Sequence, residues 1–170
     1  MVVVDMQKDF VDGALGTKEA EAIVPNVCRR IKEFDGEIIV TLDTHNENYL
    51  SSAEGKVLPV PHCIKGTDGH SLNDYVATAL VGKKYTVLEK LTFGSIELPK
   101  VIKDIAGDEE FSIELLGLCT DICVVSNALL LKANYPEVEI SVDSSLCAGV
   151  TVDSHIAALT TMKMCQINVL

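Results

Sequence analysis

Short β-branched runs alternate with longer stretches of helically spaced apolar residues along almost the whole chain. Repeated strand–helix–strand units build a parallel sheet, because each helix returns the chain to the edge where the next strand begins. The strand-like runs are nearly continuous in apolar residues, which is typical of strands buried on both faces. The alternation therefore predicts an α/β fold with three layers, α/β/α, around a mostly parallel six-stranded sheet.

The boundaries of these segments follow from the two periodicities. The strand candidates are 1–5, 37–42, 85–89, 112–118, 138–143 and 166–170. The helix candidates, with apolar residues three and four positions apart, are 19–34, 71–81, 95–106, 120–133 and 151–164. Pro25 is expected to interrupt the first helix unless it lies in the first turn. No repeat or linker separates the segments, so we expect one domain over residues 1–170.

The charge balance narrows the classes of partner. The chain carries 14 basic and 25 acidic residues, a net charge of -11, without a basic cluster. Nucleic acid and anionic membrane are therefore poor partners. No apolar run approaches the roughly 18 residues of a membrane span. The stretch "MVVVDMQKDF" lacks the features of a signal peptide, which predicts a cytoplasmic protein; whether the native chain begins upstream of Met1 stays open.

Six cysteines raise the question of disulfides. Without an export signal, and in a chain of this length, free thiols are the better expectation. We predict that Cys28, Cys147 and Cys165 are small buried hydrophobic residues. A redox role for Cys119 and Cys123 is the least favoured interpretation, because Cys-x-x-x-Cys is not the usual redox spacing.

Polar side chains with chemical potential follow the strand candidates. Asp5 ends the first, Asp43 and His45 follow the second, Lys90 follows the third, and Cys119 and Cys123 follow the fourth. In parallel α/β sheets, ligands bind beyond the carboxyl ends of the strands. An acid, metal-ligand types, a lysine and a thiol are thus expected on one edge of the sheet, a convergence that packing alone does not explain.

These residue types are the parts that covalent catalysis needs. Cys123 would lie in the first turn of a helix beginning at Thr120, where free amides and the helix dipole favour a thiolate. Lys90 would add positive charge and Asp5 could take the proton, while backbone amides over 119–123 could hold an oxyanion. Each residue also has a structural alternative: Asp5 as a helix cap, Lys90 as a solvated lysine, Cys123 as a packing residue.

The longest irregular stretch, 43–70, is rich in ligand-type side chains and holds three histidines. A loop of this length in a compact domain is usually functional or disordered, and its composition favours function. His70 in this loop and His155 further on have no partner pattern, and we assign both to the surface or to helix packing.

Five blocks resemble, in order, the cysteine hydrolases of the nicotinamidase/isochorismatase type: "VVVDMQKDF", "LDTH", "PHCIKGTDG", "EKLTFGS" and "GLCTDICVVSNA". The resemblance implies a Rossmann-like three-layer fold and a catalytic triad of Cys123, Asp5 and Lys90. It also implies a cis peptide bond before Cys119, with the amides of Cys119 and Cys123 directed at one oxyanion. Asp9, in the same block as Asp5, is expected to be structural.

The nicotinamidase branch of this family carries a metal beside the triad. By resemblance, its ligands here are Asp43, His45 and His62, joined by Glu54. Ser51 stands where one common version of the site has a further histidine. Asp43 and His45 alternate along an extended segment and so share a face. Two histidines with carboxylates suit a divalent ion, with zinc as first choice and manganese or iron as alternatives; Cys63 receives no role.

The resemblance implies hydrolysis of a small carboxamide, with nicotinamide converted to nicotinate and ammonia through a Cys123 thioester. The metal would anchor the pyridine ring, and Phe10 and Phe93 resemble the aromatic walls of the pocket, with core packing as their alternative. Self-association is also implied. One alternative is a metal-independent hydrolase of the same family acting on another small amide, an N-carbamoyl compound or an enol ether. Another is a non-catalytic module that binds a metabolite or a protein.

Overall fold

The computed structural model describes residues 1–170 and contains a six-stranded, all-parallel sheet with helices on both faces. This confirms the predicted α/β class. The strands are β1 (Val2–Val4), β2 (Ile38–Asp43), β3 (Tyr85–Lys90), β4 (Ile113–Leu118), β5 (Ile140–Ala148) and β6 (Asn168–Val169). The helices are α1 (Lys8–Val11), α2 (Lys18–Glu33), α3 (Ala53–Val57), α4 (Asp74–Ala79), α5 (Leu98–Ala106), α6 (Val125–Asn134) and α7 (Val152–Met164).

The strand order β3-β2-β1-β4-β5-β6 places the first strand in the middle of the sheet. The chain builds one half outward through β2 and β3, and the other half outward through β4, β5 and β6. Connections from β1 and β4 therefore leave in opposite directions, which opens a crevice beyond their carboxyl ends. Val4 pairs with Thr41 of β2 and with Gly117 of β4, so the residues following these three positions meet at that crevice.

Helix α2 corrects the expectation for Pro25, which lies in the interior of an unbroken helix. The missing amide donor and the ring of a proline weaken a helix interior. Here the helix is held from outside, because one face carries buried apolar residues from Ala20 to Ile31. Thr17 caps the beginning by accepting a 3.0 Å hydrogen bond from Ala20 N. Tertiary burial thus outweighs the local cost of the proline.

The long irregular stretch contains more regular structure than the sequence predicted. Between Asp43 and His70 the chain forms a 3₁₀ turn at Tyr49–Ser51 and the short helix α3. Ser52 caps α3 by accepting a hydrogen bond from Gly55 N at 2.9 Å. These elements are too short for a periodic apolar pattern, so nothing in the sequence distinguished them from loop.

The core is one continuous cluster of 37 buried hydrophobic residues that includes the sheet and both helical layers. Cys28 and Cys147 belong to this cluster, as predicted. The prediction for Cys165 is wrong: it follows the end of α7 and is exposed. All six cysteines are free thiols. No helix is both long enough and apolar enough to span a membrane.

Gly117 allows the two central strands to approach each other beside the crevice. Its φ is +117°, a conformation that residues with a side chain rarely adopt. A Cβ atom at this position would lie 2.1 Å from the carbonyl oxygen of Val4 and 2.9 Å from its nitrogen. The residue therefore has to be glycine for both steric and conformational reasons.

We expect Gly117→Ala to lower the free energy of unfolding by at least about 3 kcal/mol, since it adds overpacking to backbone strain. The matched control is Gly82→Ala, at a φ of +80° with no atom within 4 Å of the added Cβ. Strain alone should cost the control about 1 kcal/mol. Urea denaturation followed by circular dichroism measures both, and equal losses would contradict the steric role of Gly117.

Candidate active site

Three strand ends bring Asp5, Lys90 and Cys123 into contact inside the protein. Lys90 Nζ lies 2.7 Å from Asp5 Oδ2 and 3.3 Å from Cys123 Sγ. All three residues are buried. The sequence placed an acid, a lysine and a thiol on one edge of the sheet, and the structure brings these three groups together.

Lys90 reaches this cluster across the neighbouring strand. It ends β3, two strands away from β1, and is paired in register with Asp43 of β2. Its ammonium group passes Asp43 Oδ1 at 3.0 Å before it meets Asp5. The lysine side chain is 1% exposed. The lysine side chain is long enough to extend from the edge strand β3 across β2, beside the carboxylate of Asp43, to Asp5 at the centre of the sheet.

The two oxygens of Asp5 have different surroundings. Oδ1 accepts a 2.6 Å hydrogen bond from Thr41 Oγ1. Oδ2 is buried and forms an ion pair with Lys90, without a hydrogen bond of good geometry to any group. One oxygen therefore fixes the orientation of the carboxylate, and the other keeps capacity to accept a proton. This arrangement argues against the alternative in which Asp5 only caps a helix.

Burial dominates the protonation of the cluster. It raises the pKa of Asp5, against the attraction of Lys90. It also raises the pKa of the Cys123 thiol well above its ordinary value, and the charge of Asp5 adds to this effect. Burial disfavours the charged form of Lys90, but Asp5, Cys123 and Asp43 together outweigh it and raise the pKa of the lysine. Lys90 thus stays positive, and Asp5 is a stronger base than an exposed aspartate.

Cys123 does not lie in the first turn of an α-helix. Residues Thr120–Val124 form a π-helical turn, and α6 begins only at Val125. The expected thiolate-stabilising helix terminus is therefore shifted, and burial decides the pKa of the thiol instead. The peptide bond between Leu118 and Cys119 is cis, as the resemblance implied. The role of the Cys119 and Cys123 amides as oxyanion donors stays a prediction.

Two side chains that the sequence analysis left without a function hold this turn in place. His155 Nδ1 lies 2.8 Å from Thr120 Oγ1, which puts His155 in the helix packing that we predicted. Asn127 donates from Nδ2 to the carbonyl of Cys123 at 2.8 Å. Its Oδ1 also accepts a 2.9 Å hydrogen bond from Ser95 N, so Asn127 connects the segment after β3 to the π-helical turn that contains Cys123.

A second cluster, of metal-ligand types, lies beside the triad. Ligand atoms of Asp43, His45 and His62 all lie within 4.8 Å of one another. His45 Nε2 is 2.9 Å and His62 Nε2 is 3.7 Å from Asp43 Oδ2. Glu54 Oε1 is 3.6 Å and 3.5 Å from the same two nitrogens. The structure therefore brings all four predicted ligands to one place, with Glu54 at its rim.

The donor atoms of this cluster suit a divalent metal. His62 Nδ1 is 2.8 Å from the carbonyl of Val60, a contact that fixes the proton on Nδ1 and leaves Nε2 free to coordinate. His45 Nε2 is buried, and its 2.9 Å contact with Asp43 Oδ2 lacks hydrogen-bond geometry, so its lone pair is not used by another hydrogen bond. Two imidazole nitrogens and two carboxylates form a set that zinc and other first-row ions accept.

Asp9 anchors the loop that carries His62. Its Oδ2 accepts a 2.8 Å hydrogen bond from Cys63 N, and its Oδ1 accepts one from Ala14 N at 3.3 Å. A Cβ on Gly69 would lie 2.1 Å from Asp9 Oδ2, so the loop packs directly on this carboxylate. These contacts agree with the predicted structural role of Asp9. His70 in the same loop lies 2.9 Å from Thr44 Oγ1.

A cavity of about 580 Å³ opens over both clusters. Cys123, Asp43, Glu54 and His62 form its reactive part, and most of the other wall residues are hydrophobic. Phe10 is buried, with its ring 5.4 Å from the ring of His62. Phe93 stands at the opening and is 45% exposed. No lysine or arginine lines the cavity.

The fold and the site together define an enzyme with a parallel α/β sheet and a buried cysteine–aspartate–lysine cluster at its carboxyl edge. The chain belongs to the isochorismatase family, since the model of the isochorismatase domain matches residues 1–170.

Characterised relatives are distant in sequence but extend over the whole chain. The nicotinamidase/pyrazinamidase of Mycobacterium tuberculosis is 24% identical over 98% of this chain and 95% of its own. A pyrazinamidase from Pyrococcus horikoshii, solved in complex with zinc, is 25% identical over 99% and 96% of the two chains, with a TM-score of 0.83. A nicotinamidase/pyrazinamidase from Bacillus subtilis reaches a TM-score of 0.84 at 23% identity, covering 99% and 97%.

Replacing the buried lysine should be far more costly than replacing an exposed one. We expect Lys90→Met to lower the free energy of unfolding by about 3–5 kcal/mol, because Asp5 and Asp43 would lose their buried counter-charge. The control is Lys65→Met, which removes the exposed ion pair with Glu89 and should cost at most about 1 kcal/mol. Urea denaturation at neutral pH measures both.

The deficit of Lys90→Met should shrink as the pH falls. Burial already raises the pKa of Asp5 in the folded protein, and removing Lys90 raises it further. A carboxyl whose pKa is higher in the folded than in the unfolded state stabilises at low pH, and this contribution disappears as the pH rises through the folded value. A deficit that stays constant down to about pH 4, the ordinary carboxyl value, would contradict the buried ion cluster.

Proposed function

We propose that this protein hydrolyses a small carboxamide, and that nicotinamide is its substrate, giving nicotinate and ammonia. The comparisons support amide hydrolysis within the isochorismatase family. One observation carries the finer proposal: Cys123, Asp5 and Lys90 meet next to a cluster of metal-ligand side chains at one cavity. A thiol, a base and a ring anchor are what a pyridine carboxamide requires.

In the proposed reaction, Asp5 takes the proton of Cys123, and the thiolate attacks the amide carbon. The positive charge of Lys90 stabilises the thiolate of Cys123 and the neighbouring carboxylate of Asp43. The amides of Cys119 and Cys123 hold the oxyanion of the tetrahedral intermediate. Asp5 then returns the proton to the departing ammonia, and the thioester forms. Asp5 then deprotonates a water molecule, whose oxygen attacks the thioester carbon. The C–S bond breaks, Asp5 returns the proton to the departing Cys123 sulfur, and the carboxylate product is released.

Asp43, His45, His62 and Glu54 would hold one divalent ion. The ion would supply a Lewis-acid anchor for the pyridine nitrogen and would restrict the orientation of the ring. Zinc is our first choice, supported by the zinc-bound pyrazinamidase neighbour and by the ligand types. Manganese and iron accept the same side chains.

The cavity favours an uncharged substrate. Its wall lacks lysine and arginine, and Lys90 lies behind the wall between two carboxylates. An acidic enol ether or an N-carbamoyl amino acid would bring a carboxylate into this apolar space without a counter-charge, which is costly. A neutral aromatic amide between Phe10 and Phe93 would meet apolar walls on both sides. This contrast ranks nicotinamide above the acidic enol-ether and N-carbamoyl alternatives.

We further propose that residues 1–170 act as one domain, which the single core cluster supports. The proposed partner is the small-molecule substrate. The cytoplasmic location and the self-association stay predictions.

The first prediction of this proposal concerns the nucleophile. We expect the metal-loaded protein to release ammonia from nicotinamide, and Cys123→Ala to reduce this rate by at least about 10⁴-fold, because Cys123 is the thiol that contacts Lys90 and would form the thioester. A coupled ammonia assay measures the rate, and chemical quenching with mass spectrometry detects the acyl adduct on Cys123.

The matched control is Cys165→Ala, which removes an exposed thiol and should keep the full rate. If the intact, metal-loaded protein releases no ammonia, nicotinamide is not the substrate. If Cys123→Ala keeps activity, the thiol mechanism is wrong whatever the substrate.

The second prediction concerns the metal. Thorough chelation should lower kcat/KM for nicotinamide by about 10²-fold or more, because the ring would lose its anchor, and added zinc should restore the rate. The rate of iodoacetamide alkylation of Cys123 in the absence of substrate provides a separate measure of an intact thiol. Full activity in chelated, metal-free protein would exclude the anchoring role and would favour the metal-independent alternative.

A further inference from the structure

We infer that Gln7 is a positioning residue that holds Asp43, and with it the metal-binding loop, in the geometry that coordination needs. The inference rests on the metal site proposed above. Gln7 belongs to the same sequence block as Asp5 but is not itself one of the residues that line the cavity. Its side chain is completely buried, which for an uncharged amide requires that its hydrogen bonds be satisfied.

The Gln7 amide grips the backbone of Asp43 on both sides. Its Oε1 accepts a 2.7 Å hydrogen bond from Asp43 N, and its Nε2 donates a 2.9 Å bond to the carbonyl of the same residue. Asp43 is the last residue of β2, where the regular ladder ends. These two hydrogen bonds therefore hold the backbone of Asp43 in place beyond the last regular hydrogen bonds of the sheet, and so fix the position of its carboxylate.

Only one amide orientation satisfies this arrangement. The second hydrogen of Nε2 donates to the carbonyl of His70 at 2.9 Å, so both donors and the acceptor of Gln7 are used. If the amide were reversed, oxygen would face two carbonyls and nitrogen would face the Asp43 amide. The network therefore selects glutamine, because the site requires one acceptor and two donors on one planar group at this distance from the backbone.

The same amide closes the loop that carries the other ligands. The loop begins at Asp43 and returns at His70, and Gln7 binds the backbone at both ends. Neighbouring backbone bonds support the return, from Lys8 N to Ser71 O and from Asn73 N to Met6 O, each 2.9 Å long. His62 and Glu54 lie between these two ends. Gln7 thus fixes both ends of the loop that carries these two side chains.

A shift of Asp43 would disturb two sets of contacts. Its Oδ1 lies 3.0 Å from Lys90 Nζ, while its Oδ2 faces His45 at 2.9 Å and His62 at 3.7 Å. Metal–ligand distances tolerate deviations of only about 0.2 Å. A backbone that moves by more than this weakens coordination although every ligand is still present.

The test measures zinc affinity directly, by competition with a chromophoric chelator, for the intact chain and two variants. Gln7→Met keeps the length and removes all three hydrogen bonds, and we expect its dissociation constant to rise about 10- to 100-fold. Gln7→Glu should lose less. The carboxyl group has the same length and keeps an acceptor for Asp43 N, although it cannot offer two donors to the neighbouring carbonyls.

The control variant is Thr151→Ala, which removes the α7 cap formed by Thr151 Oγ1 and Ser154 N and leaves Gln7 and the metal-binding loop intact. It should lower the melting temperature of the metal-free protein without changing the dissociation constant more than about twofold, since the loss is confined to a helix end. In nicotinamide hydrolysis, saturating zinc should restore the rate of folded Gln7→Met, because the ligands themselves are all still present.

An unchanged dissociation constant in folded Gln7→Met overturns the positioning role while the metal site itself stands. If Gln7→Met does not fold, folded Gln7→Glu decides by the same measurement. Zinc affinity that falls equally in Thr151→Ala also overturns it, because the effect would then follow stability. If the unaltered chain binds no zinc, manganese or iron, the proposed metal site fails and this role fails with it.

Discussion

The buried ammonium group of Lys90 is the charge on which the rest of the site depends. It lies 2.7 Å from Asp5 and 3.0 Å from Asp43, inside a protein that otherwise excludes charge from its core. Two carboxylates without this cation could not both stay ionised there. Desolvation is costly for each partner, and the attraction at close range offsets it. The same ammonium group lies 3.3 Å from Cys123 Sγ, so the cation that stabilises the two buried carboxylates also contacts the thiol.

Asp43 joins the charge cluster to the proposed metal site. One oxygen contacts Lys90 and the other faces His45 and His62. Geometry at either site therefore depends on the backbone at the end of β2, which explains why a buried glutamine amide is used there. Asp5 and Gln7 both follow the carboxyl end of β1, and the central position of this strand places them beside Asp43. A short strand thus determines where Asp5 and the proposed metal ligands lie relative to each other.

The sequence-based predictions succeeded where the signal was local. Nearly continuous apolar runs identified the strands of a parallel sheet. The strand-end rule placed Asp5, Lys90 and Cys123 at one edge, where the structure brings them into contact, and their catalytic roles stay predictions. The sequence-based predictions failed where a distant contact decided the outcome. Pro25 is tolerated inside α2 because the helix face is buried against the core. Cys165 is exposed although cysteine is usually buried, because the chain has already left α7 when it reaches this residue.

By itself the sequence determined the order of the six strands and of the five helices with apolar periodicity, and the chemical types at the strand ends, since these signals are local. Only the tertiary structure decided that Lys90 crosses β2 to reach Asp5, because register pairs residues far apart in the chain. It also decided that burial, more than a helix terminus, sets the pKa of Cys123. Desolvation depends on everything packed around a group, and no short stretch of sequence contains that information.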